Sequence, residues 1–168
     1  MVRVIGWSEA LGGGAGLLVL PVAAWQQARA GAPPGLRMPA VGFAMAAVAF
    51  AAAAAAGVLL LRRRRAGVRA SAAVQALQVV QFGVPGTFVY QYAAGIHVLL
   101  AVGQYGLRFS PGINAAFVAL PVQGEGPWWA GVNLFALAAV VVLARELAAP
   151  DPESMAGDSG DRAPKPPS

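Results

Sequence analysis

From Pro39 to Leu61 every residue is apolar or glycine, and the run then meets four consecutive arginines, Arg62 to Arg65, with Arg69 close behind. A helix of that length reaches roughly 34 Å, enough to cross a hydrocarbon core of about 30 Å. Centring even one arginine in a bilayer costs about 2.5 to 3.5 kcal/mol, so a block of four ends the span. Basic residues in short loops stay on the cytoplasmic side. Arg62, Arg63, Arg64, Arg65 and Arg69 are therefore the expected topology determinants, marking the inner end of this helix.

Composition agrees. Charged residues make up 11% of the chain, against about 25% in an ordinary soluble domain, which points to an integral membrane protein. The net charge of +5 comes largely from arginines beside apolar runs. It implies the lipid bilayer as partner and no nucleic acid. With no cysteine, disulfides, thiolate metal sites and thiol redox chemistry are excluded. Arginine far outnumbers lysine and alanine is in excess, as in a GC-rich genome, so the tract Ala51 to Ala56 reads as composition.

Four spans are expected, at about 8–28, 39–61, 84–107 and 127–144. The first has Trp7 and Trp25 near its ends and a Gly12/Gly16 pair that suits close helix approach. Its competitor is a secretory signal peptide cut after Ala28-Arg29-Ala30, against which Glu9, Gln26 and Gln27 count. Pro33, Pro34 and Gly35 make an outer loop. Ala70 to Phe82 is expected as an interfacial helix, or as the first half of a long helix kinked at Pro85. Ser110-Pro111-Gly112 ends the third span, and Ile113 to Val122 is too short to cross. Pro127, Trp128 and Trp129 open the fourth, which Arg145 closes.

Arg3, Arg145, Arg162 and Lys165 join the arginine block inside, while Arg29, Arg37 and Arg108 fall outside, so both termini are expected to be cytoplasmic. Residues 150–168, rich in proline and charge, should be a disordered tail. The expected fold is thus an all-α integral membrane protein of a bacterial cytoplasmic membrane. It is a four-helix bundle over 1–149 with an interfacial or kinked helix before its third span.

Read as a helix, the third span places Gly86, Tyr90, His97 and Gln104 in one sector, the last three spaced by sevens. That stripe should face protein or a pore, with Asn133 of the fourth span pairing Gln104. The preferred role is structural: a non-enzymatic accessory or scaffold subunit that assembles through this span into a homo-oligomer or with a larger membrane protein. An oligomeric channel or carrier lined by glutamine, tyrosine and histidine is the alternative. A haem- or quinone-type cofactor site at His97 and Tyr90 is the second. No metal or cofactor is expected, because one histidine without cysteine makes a poor ligand set and the apolar runs offer no acid and base pair.

Overall fold

The computed structural model describes residues 1–29, 38–121 and 126–149. The segments expected as an outer loop, 31–37, and as a disordered tail, 150–168, lie outside these residues. The apolar run forms a helix as expected, α2 (Ala40–Leu61). It stops where the arginines begin, with Arg63 in the left-handed region at φ 54°. Arg62 to Arg65 are all exposed. The chain turns at once into α3 (Arg65–Val79).

Ahead of it, α1 (Val2–Arg29) runs antiparallel to α2, because small residues let the two backbones meet. A Cβ on Gly13 would stand 2.5 Å from the Ala54 nitrogen, and one on Gly57 2.5 Å from the Ala10 nitrogen. The far ends are tied by Gln27, whose Nε2 donates to the Met38 carbonyl at 2.9 Å while its Oε1 accepts from the Met38 N–H at 2.8 Å. Both helices are long and apolar enough to cross a membrane. On α2 the buried stripe includes Ala46, Ala53 and Gly57. The small residues in this alanine-rich helix thus form its packing face.

The all-α expectation fails beyond α3. The chain continues as β1 (Val80–Val84), β2 (Phe88–Gly103), β3 (Gly106–Leu120) and β4 (Trp129–Asn133), then α4 (Leu134–Ala148). The proposed third span, 84–107, is a turn, a strand and a second turn. The proposed fourth, 127–144, is a short strand running into a helix. Val84-Pro85-Gly86-Thr87 supplies the first turn: the Thr87 N–H donates to the Val84 carbonyl at 3.1 Å and Gly86 takes φ 66°, the arrangement of a type II turn. Gly106 at φ 90° closes the second, around Gln104 and Tyr105. Pro111 lies inside β3 and not at a turn, which an edge strand tolerates.

The strand pairings are all antiparallel and close a ring. β1 pairs β4, β4 pairs the last part of β2, and the first part of β2 pairs β1. Fully extended, β2 would hold Val89 and Gly103 about 46 Å apart. Instead Val89 pairs Gly83, Gly83 pairs Trp129 and Trp129 pairs Gly103, three interstrand steps of about 4.8 Å. β2 must therefore fold back on itself. Its bend falls at Gly95, where φ is 106° and where α1 presses in with Ser8 and Gly12. β3 follows β2 in unbroken register around the bend.

Candidate functional site at the bend of β2

Because β1 and β4 cover only its two ends, β2 has, among the described residues, no strand beside residues 91–98 on its inner edge. Buried backbone groups there need partners, and polar side chains provide them. Gln81 Nε2 donates to the Tyr92 carbonyl at 3.0 Å, and Gln78 Oε1 accepts from the Ala94 N–H at 2.8 Å. Ser8 Oγ accepts from the Ile96 N–H at 2.7 Å, and Asn133 Oδ1 from the Val98 N–H at 3.1 Å. Alternate residues of one strand edge, Tyr92, Ala94, Ile96 and Val98, are thus satisfied by β1, α3, α1 and β4 in turn. Asn133 also accepts from the Ala136 N–H, so it caps α4 as well.

α3 is built for this. Ser71, Gln75 and Gln78 recur at i, i+4 and i+7 and lie on its buried face, while Ala73, Ala76 and Leu77 are exposed. From Ser71 onward the buried face of the helix is thus mostly polar, with Val74 its apolar member. Its first two polar residues hold Glu9, which is fully buried in α1: Ser71 Oγ donates to Oε2 at 2.5 Å and Gln75 Nε2 to Oε1 at 2.8 Å. Sequence reasoning used Glu9 only against a cleaved leader and missed this role. The readable signal was an acid at the edge of an apolar run together with a serine and a glutamine four residues apart.

The expected stripe is not one face. Tyr90 and His97, an odd number of residues apart, do not share a strand face as they would a helix face. The Tyr90 hydroxyl donates to the Leu77 carbonyl at 2.6 Å. Gly86 and Gln104 sit in the two turns, and Gln104 is exposed and does not pair Asn133. His97 is 5% exposed, and its Nε2 meets no hydrogen-bond partner among the described residues. Burial lowers its pKa from the ordinary value and favours the neutral ring. It lines an open cavity of about 480 Å³, with Gln91, Leu99, Arg108, Asn114 and Trp129 also on the wall.

Fold and site together define a mixed α/β chain in which an apolar helical hairpin carries a folded-back strand laced by side-chain amides. It matches no known protein family, no curated protein and no solved structure. Among the described residues no group of three or more histidine and acidic side chains could hold a metal ion.

Proposed function

We propose that this chain is a non-enzymatic accessory protein, anchored in a membrane by the α1–α2 hairpin and assembling there with its own copies or with a larger membrane protein. The observation that carries the reading is the hairpin's uncovered apolar surface. Leu11, Leu18, Val22, Val41, Met45 and Val48 are all exposed, with the arginine turn at one end and Trp25 stacked under Arg29 at the other.

Assembly through the β2–β3 hairpin replaces the helical interface expected from sequence. β3 exposes Leu107, Phe109 and Ile113, and among the described residues no strand pairs its outer edge. An open, apolar strand edge is a ready template for pairing, so a second chain is the natural cover.

The test is extraction of native membranes with alkaline carbonate, then sizing in mild detergent after chemical crosslinking. The chain should stay with the membrane and crosslink into a discrete species larger than one protomer. Release by carbonate would refute the anchor, and a lone protomer under all crosslinkers would refute the assembly.

A further inference from the structure

We propose that the cavity at the bend of β2 binds a small aromatic carboxylate bearing a hydroxyl or oxo group at the far end of its ring. The wall of the cavity is sorted by chemistry. Arg108 stands at its exposed rim, and guanidinium matches carboxylate with two parallel hydrogen bonds. Leu99, Ala101 and Trp129 also line it, an apolar and aromatic wall that suits an aromatic ring. His97 lines the same cavity with a buried, unpartnered Nε2, and a neutral imidazole nitrogen either donates to an oxo group or accepts from a hydroxyl.

The distances agree with one ring. Arg108 pairs with Ala101, and Ala101 is four residues from His97, about 13 Å along the strand. A backbone interval of that size leaves room for a para-substituted ring between the two side chains. A volume of about 480 Å³ lies in the range of small-molecule sites, which combine apolar walls with a few placed polar groups. The inference does not rest on membrane anchoring, but β3 supplies one wall of the cavity, so it requires that the chain proposed to cover β3 leave Arg108 and His97 open to the ligand.

His97 is the sole histidine in the chain, so ¹³C-histidine labelling of the full-length protein in detergent gives one imidazole signal to follow. The probes are 4-hydroxybenzoate, benzoate and 4-hydroxybenzyl alcohol. 4-Hydroxybenzoate should move the signal saturably, and each of the others, lacking one polar group, should bind about tenfold more weakly. Arg108→Ala should bring 4-hydroxybenzoate down to the level of the alcohol and leave the alcohol unchanged. Arg29→Ala, at a distant exposed arginine, should alter nothing. An unmoved signal, equal response to all three probes, or indifference to Arg108→Ala would each overturn the proposal.

Discussion

Glu9 carries the sharpest energetic statement available for a single residue. Replacing it with leucine leaves the Ser71 hydroxyl and the Gln75 amide buried without their acceptor, at about 1 to 3 kcal/mol for each orphaned donor. Glu9→Gln keeps an acceptor oxygen and should cost less. Adding Ser71→Ala to Glu9→Leu should cost less than the two changes summed, because the donor left stranded by the first is removed by the second. Unfolding in mixed micelles measures all four chains, and strict additivity would refute the contact. His97 yields a pH test. The unfolded imidazole takes up its proton near 6.5, and burial delays the folded one to lower pH. In that window the unfolded chain binds more protons, so stability rises with pH and falls as pH drops below about 6.5. Wild type should therefore lose more stability on acidification than His97→Gln; parallel curves would refute a neutral buried ring.

At the scale of elements, the helical hairpin was legible in the sequence and the sheet was not. Uniform apolarity over 39–61, with a charge block behind it, has one reading. Residues 88–103 are apolar too, but for another reason. The middle of β2 is buried from Tyr92 to Gly95 without alternation, so the period-two signal that marks a half-exposed strand is erased. What remained readable were its brackets, Pro85-Gly86 and Gln104-Tyr105-Gly106, together with the aromatic and β-branched content of Phe88 to Tyr92. The polar seam was visible as Ser71, Gln75, Gln78 and Gln81, but its purpose depends on a gap in strand pairing that no local pattern announces. Two glycines test the bend. Gly86 has open space around it, so Gly86→Ala should cost only the left-handed backbone, about 1 kcal/mol. Gly95 combines φ 106° with Ser8 packed against it, so Gly95→Ala should cost clearly more than Gly86→Ala by chemical denaturation. Equal costs would mean that the bend does not lie at Gly95.

At the scale of the whole molecule, the fold gathers basic residues that the sequence scatters. Because α1 and α2 are antiparallel, Arg3 returns to the level of Arg62 to Arg65; Val2, Arg3, Leu61 and Arg63 line one recess with Glu146 of α4. Arg65 donates to the Ala149 carbonyl at 3.2 Å, which brings the end of α4 to the same place. Arg29 and its Trp25 mark the opposite end of the hairpin. If the hairpin anchors the chain as proposed, the positive-inside rule predicts that its arginine end faces the cytoplasm. The chain is free of cysteine, so single cysteines can report this without a background. Ala66 and Ala28 are exposed at the two ends. In intact cells a membrane-impermeant maleimide should label Ala28→Cys and spare Ala66→Cys until the membrane is opened. Equal labelling of both would mean that the hairpin does not cross, and labelling of Ala66→Cys alone would invert it. Replacing Arg62, Arg63 and Arg64 together with glutamine should weaken the asymmetry while leaving α1–α2 packing intact, because those side chains are exposed and the helices are held by Gly13, Gly57 and their neighbours.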